Sequence, residues 1–273
     1  MIRFIFAVFG LTLMMPHVLA PGPAHAQTPS WVEIPTAGET LRGALYLPSG
    51  SGPHPAVLAL HGCGGLSVRS ARVRDWAVRL TDAGFAVLFA DSFGSRGLKS
   101  QCGVRKRTIR ATRERIGDAH AALAYLLARG DIKATAVSLL GWSNGGATVI
   151  SSIASRHKPG LAADFARAVA FFPGCRFELR RGGWSSRVPL LILAGGADDW
   201  TPAAPCAELA KGQANVSITI YPGAYHNFDD PDWPVRQRTG TAFSADGSGI
   251  VHQGTDPKAR KDAIARTLEY LAR

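Results

Sequence analysis

Three side chains in widely separated stretches could together cleave an acyl bond: Ser143, His226, and an aspartate at 198 or 199. A serine hydroxyl is a poor nucleophile at neutral pH. It needs a base within hydrogen-bond reach, and the base needs an acid to fix its tautomer and stabilise its charged form. Ser143 lies in Gly141-Trp142-Ser143-Asn144-Gly145-Gly146, directly after the apolar run 136–140 and before a helix-compatible segment. In a chain with 30 glycines a chance G-x-S-x-G is common, and a plain turn is the alternative reading. At a strand-to-helix junction the same pattern is a nucleophile elbow, a sharp turn that presents the hydroxyl above a helix N-terminus. Glycine flanks the serine because a side chain there would clash with the neighbouring strand and helix.

The partners follow in the order serine, acid, histidine that such an elbow requires. After the apolar run 189–194 comes Gly195-Gly196-Ala197-Asp198-Asp199-Trp200-Thr201-Pro202, and after the run 216–221 comes Pro222-Gly223-Ala224-Tyr225-His226-Asn227-Phe228. Both loops should open on the rim that carries Ser143. His252, the other downstream histidine, sits deep in a loose segment and is the weaker candidate. An oxyanion hole needs two backbone N–H groups aimed at the oxygen that becomes negative. Asn144, after the nucleophile and at a helix start, is one expected donor. Cys63, in His61-Gly62-Cys63-Gly64-Gly65 after the run 56–60, is the other, since this loop is of the H-G-G-G type. A dinucleotide loop is the competing reading, but Ser67 stands where the third glycine of G-x-G-x-x-G belongs.

These residues need a scaffold that brings strand ends together. Short apolar or β-branched runs recur at 31–34, 41–47, 56–60, 85–90, 136–140, 168–172, 189–194 and 216–221. From the third onward most are unbroken, as in a parallel sheet covered on both faces. The first two, joined by Pro35-Thr36-Ala37-Gly38-Glu39, suggest an antiparallel hairpin at a sheet edge. Amphipathic helices are expected over 68–83, 108–128, 145–156, 203–211 and 256–272. Strands alternating with helices predict a doubly wound, mostly parallel sheet of about eight strands flanked by helices, and the elbow with its Ser-acid-His order makes this the α/β-hydrolase fold. The loosest stretch is 227–255, rich in Asp, Gly, Pro and Ser and long for a loop beside a site.

Taken together, Leu60-His61-Gly62-Cys63-Gly64-Gly65, Asp91-Ser92-Phe93-Gly94, the Ser143 elbow, Phe172-Pro173-Gly174-Cys175, Asp198-Asp199-Trp200-Thr201-Pro202 and His226-Asn227-Phe228 resemble the dienelactone hydrolase family. The motifs span most of the chain in the family's order. The resemblance implies Asp198 rather than Asp199 as the acid. It also implies hydrolysis of a small-molecule ester or lactone through an acyl-enzyme, with no cofactor. The chain departs from the founding enzymes in carrying Ser143 where they have a cysteine. A peptidase or amidase on the same three residues, and a non-catalytic binding protein, are the alternatives, because fold does not fix the scissile bond.

Bulk properties bound the rest. Met1-Ile2-Arg3, an apolar stretch from Phe4 to about Ala20, and Ala24-His25-Ala26 read as a signal peptide cleaved after Ala26. The apolar stretch falls short of the ~20 residues that span a bilayer. Residues 27–273 are then expected to form a single domain, periplasmic or secreted, with no stable membrane insertion. The net charge of +11 comes from Lys and Arg spread along the chain, with one tight run at Arg105-Lys106-Arg107. Solvated surface arginines are expected, with no nucleic-acid partner. No metal is expected, because no histidine pair has ligand spacing. Four cysteines in an exported chain make disulfides plausible. Three pairings are possible, and free thiols are an alternative for one pair. Cys63 and Cys102 both follow early strands and Cys175 and Cys206 follow later ones, which favours Cys63–Cys102 and Cys175–Cys206. Trp142, Trp200, Phe93, Arg96, Arg176 and Tyr225 are in loops that could line a pocket, where an arginine would suit a carboxylate.

Overall fold

The structure is a computed structural model that describes residues 1–2 and 28–273. The expected signal peptide therefore lies outside the described residues apart from Met1 and Ile2. The elements run β1 (Ser30–Pro35), β2 (Thr40–Tyr46), β3 (His54–Leu60), α1 (Ala71–Asp82), β4 (Ala86–Asp91), α2 (Glu114–Leu127), β5 (Ile132–Trp142) and α3 (Asn144–Ser152). They continue with β6 (Ala168–Phe171), α4 (Arg176–Arg181), β7 (Leu190–Gly195), α5 (Ala204–Ala210), β8 (Val216–Tyr221), β9 (Arg236–Arg238), β10 (Val251–Gln253) and α6 (Pro257–Ala272).

Eight strands form one sheet in the order β1-β2-β4-β3-β5-β6-β7-β8. The pairs β1–β2 and β2–β4 are antiparallel, and every pair from β4–β3 to β7–β8 is parallel. The edge hairpin and doubly wound core match the expected α/β-hydrolase fold. Strand β3 shows why its run carries no polar residue: Leu58 and Leu60 enter the core on one face of the sheet, Val57 and Ala59 the core on the other. All four are fully buried, as required of a central strand with helices on both sides.

Caps decide where several helices begin. Helix α1 starts at Ala71 rather than residue 68 because the Ser70 side chain accepts from the Val73 N–H. Helix α2 starts at Glu114 rather than residue 108. The Glu114 carboxylate turns back to accept from the Arg110 backbone N–H and guanidinium, closing a non-helical turn ahead of the helix. At α6, Asp256 caps two N–H groups and Pro257 occupies the first turn.

Two elements were not expected. The six residues of α4 are too few to show a helical period. The stretch 227–255 holds the β9–β10 ribbon, with a further bridge between His226 and Gln253. It is folded back over the rim: Trp200 Nε1 donates to Ala242 O, the Ala245 N–H to Asp199 O, and the Ala242 N–H to Cys102 O. Disulfides join Cys63 to Cys102 and Cys175 to Cys206, leaving no free cysteine among the described residues.

Candidate active site

Strand β5 delivers Ser143 to the carboxyl edge of the sheet, and α3 begins at the next residue. Ser143 adopts φ 53°, ψ −112°, a left-handed conformation that a non-glycine residue holds only when its surroundings impose it. Its N–H donates to Phe171 O at 2.9 Å, tying the elbow to β6. The neighbouring glycines are sterically required. A Cβ at Gly141 would stand 2.5 Å from Gly145 O, and one at Gly145 only 2.1 Å from Leu60 O. Both obstacles are backbone, so neither side can yield cheaply. Gly145→Ala is therefore expected to cost more than about 4 kcal/mol, seen as loss of soluble protein or a collapsed denaturation midpoint.

His226 Nε2 lies 2.9 Å from Ser143 Oγ, and His226 Nδ1 lies 2.7 Å from Asp198 Oδ2. The carboxylate is itself held: Oδ1 accepts the backbone N–H groups of Trp200 and Thr201, and Oδ2 accepts the Thr201 hydroxyl. The rings of Phe172 and Trp200 flank the imidazole, each 4.7 Å away between centroids. Ser143 is 8 % exposed and His226 1 %, so the hydroxyl can be reached from solvent while the base is shielded. The two weaker candidates pair with each other. Asp199 accepts from the His252 backbone N–H and contacts His252 Nδ1 at 2.7 Å, fastening β10 to the rim.

Beneath His226, sequence reading missed Asp229. It is fully buried and accepts from the indole N–H groups of Trp76 and Trp142 and from Arg72 Nε. Arg72 also holds the Asn227 side-chain oxygen. The carboxylate thus anchors the start of the histidine loop to the core. No motif marks it, because its partners come from elements far away in sequence.

Cys63 and Asn144 line the same pocket as Ser143. A Cβ at Gly62 would sit 3.6 Å from Ser143 Cβ, so the loop after β3 packs directly against the elbow. Cys63 is held by its disulfide and by Gln101 N–H donating to its carbonyl. Asn144 is held by the buried Arg115, whose Nη1 donates to its side-chain oxygen at 2.6 Å. Arg115 Nε donates to Ser92 Oγ, and the Ser92 N–H donates to His61 Nε2. That last bond requires His61 to be neutral. Burial, aided by the Arg115 charge, holds its pKa well below the ordinary 6.5.

The sign follows from linkage. Below pH 6.5 the unfolded chain takes up a proton at His61 that the folded chain refuses, so this stability is full above pH 6.5 and lost as pH falls. Asp230 acts oppositely, since burial raises its pKa to about 6 and stability falls as pH rises from about 4 to 6. The His61 contribution is therefore read by difference. Denaturation midpoints at pH 5 and 7 should diverge more in the wild type than in His61→Gln, and equal divergence would assign the acid sensitivity elsewhere.

The pocket over Ser143 encloses about 820 Å³. Of the proposed lining residues, Trp200 and Arg176 are in its wall. Trp142 and Phe93 are instead buried in the interior, and Arg96 is engaged by Asp118, Glu39 and Ser92 O. Tyr225 lies against His252, the two rings tilted at 38°, rather than lining the pocket. Among the described residues no group of three or more His, Cys, Asp or Glu could hold a metal ion, and no helix is long and apolar enough to cross a membrane.

The model of the dienelactone hydrolase family matches residues 41–273. The chain belongs to the dienelactone hydrolase family. A relative from Bradyrhizobium sp., named "Probable 2-oxo-3-(5-oxofuran-2-ylidene)propanoate lactonase", is 25 % identical over 217 residues, covering 73 % of this chain and 84 % of that protein. A dienelactone hydrolase from Anabaena variabilis superposes with TM-score 0.63 at 20 % identity, covering 90 % of this chain and 98 % of that one. A dienelactone hydrolase-like promiscuous phosphotriesterase from metagenomic libraries superposes with TM-score 0.66 at 22 % identity, covering 90 % and 97 %. These two likenesses bear on the fold.

Proposed function

We propose that this protein is a serine hydrolase that cleaves carboxylic ester or lactone bonds of small substrates through an acyl-enzyme. The observation that carries the reading is the unbroken relay from Ser143 Oγ to His226 Nε2 and from His226 Nδ1 to Asp198, at 2.9 and 2.7 Å. In it, Ser143 attacks the carbonyl while His226 takes the hydroxyl proton. Asp198 keeps the imidazole in the tautomer whose Nε2 is free to accept, and stabilises the imidazolium. The backbone N–H groups of Cys63 and Asn144 receive the oxyanion. His226 then returns the proton to the leaving alcohol, and water releases the acid by the same path.

Family membership supports a hydrolase, and the name of the Bradyrhizobium relative supports a lactone or ester as substrate. The two disulfides fit export to the periplasm or medium as a single domain over 27–273. Hydrolysis of p-nitrophenyl butyrate tests the reading: turnover is expected from the wild type and none above background from Ser143→Ala. Equal rates in both would end it.

A further inference from the structure

Basic residues from two separate stretches of the chain converge on the pocket. Arg105, Lys106 and Arg110 come from the loop before α2, and Arg176 and Arg180 from α4, yet all line the cavity that holds Ser143. The one acidic side chain in that lining is Asp246. Among the described residues Arg105, Lys106, Arg176 and Arg180 have no carboxylate partner within 4.0 Å, while Arg110 is paired with Glu114. The positive surface continues past Arg110 and Phe177 into a second cavity of about 470 Å³, lined by Arg181 and by Arg113, which lies 3.7 Å from Glu114. Arg181 likewise has no carboxylate partner among the described residues.

Both cationic walls are fastened close by. Cys102, three residues before Arg105, is bonded to Cys63, and Cys175, just before Arg176, is bonded to Cys206. Like charges held together without counter-charges repel, and a bound anion relieves that repulsion. These side chains are exposed and hydrated, so a single ion pair here contributes little. A ligand gains from the groove only by meeting several cations at once.

Building on the proposed hydrolase reading, we propose that the groove leading away from Ser143 binds substrates carrying two or more anionic groups, set apart from the scissile bond. The ester or lactone carbonyl then sits at Ser143 while carboxylate, sulfate or phosphate groups extend along Arg176, Arg180 and the 105–110 loop. Guanidinium groups suit such oxyanions because their N–H fork matches two oxygens together.

Benzoate, isophthalate and trimesate present one, two and three carboxylates on the same ring, and their inhibition of p-nitrophenyl butyrate hydrolysis tests the proposal. At fixed low ionic strength Ki should fall along the series, by about tenfold from first to last. About 0.5 M NaCl should erase the difference. In the Arg176→Gln, Arg180→Gln double variant the ratio of the benzoate to the trimesate Ki should fall toward one. Equal Ki values across the series, or a ratio indifferent to salt and to the double variant, would overturn the proposal. If the wild type does not hydrolyse the ester, the hydrolase reading fails separately, and calorimetric titration with the three carboxylates still tests the groove. Tighter binding of trimesate then supports it, and equal or absent binding overturns it.

Discussion

Replacing His226 with alanine is expected to lower kcat for an ester substrate by about 10⁶-fold while leaving the fold intact. Removing the imaginable substitutes for the base explains the size. Ser143 Oγ has His226 Nε2 as its hydrogen-bond partner, and the other histidine of the rim, His252, is committed to Asp199. A serine hydroxyl without a base stays protonated at neutral pH and attacks too slowly to measure. The imidazole fills space between Phe172 and Trp200, so circular dichroism and a denaturation midpoint should accompany the kinetics. A loss of only tenfold in folded protein would mean that some other group takes the proton.

Asp198→Asn is expected to cost about 10⁴-fold in kcat, while Asp199→Asn should stay within about tenfold of the wild type. The two carboxylates are adjacent in sequence but point into different networks. Asp198 is 4 % exposed and receives three hydrogen bonds from Trp200 and Thr201 in addition to its contact with His226. An amide in its place can present N–H to Nδ1, which favours the tautomer with the proton on Nε2, facing Ser143 and unable to accept. Asp199 holds His252 and the β10 edge, so its loss loosens the ribbon over the rim without touching the relay. Comparable losses in both variants would require the histidine to be oriented by the loop as a whole rather than by one carboxylate.

Much of this arrangement was legible because local chemistry dictated it. The elbow shows in sequence since its glycines answer to backbone atoms 2.1–2.5 Å from where a side chain would begin. Strand β3 shows because both its faces are buried over 56–60, which forbids polar residues in that run. What escaped depends on distant partners. Asp229 has meaning only once Trp76, Trp142 and Arg72 converge on it, and nothing near residue 229 announces them. Trp142 and Phe93 are candidates for a pocket wall in the sequence because they sit beside loop motifs, but the fold turns them into the core. The 227–255 stretch reads as loose because its strands are three residues long and its order comes from bonds to Asp199, Trp200 and Cys102. The cationic groove escaped for the same reason: the 105–113 and 176–181 segments are remote in sequence and meet only across the pocket.

The most direct test of the account is covalent capture of the nucleophile. Folded protein is treated with a fluorophosphonate, digested and mapped by mass spectrometry, with Ser143→Ala and His226→Ala alongside. The account predicts a single adduct on Ser143 in the wild type, none in Ser143→Ala, and labelling slowed by orders of magnitude in His226→Ala. An unlabelled wild type, or an adduct that persists when Ser143 is gone, would contradict it.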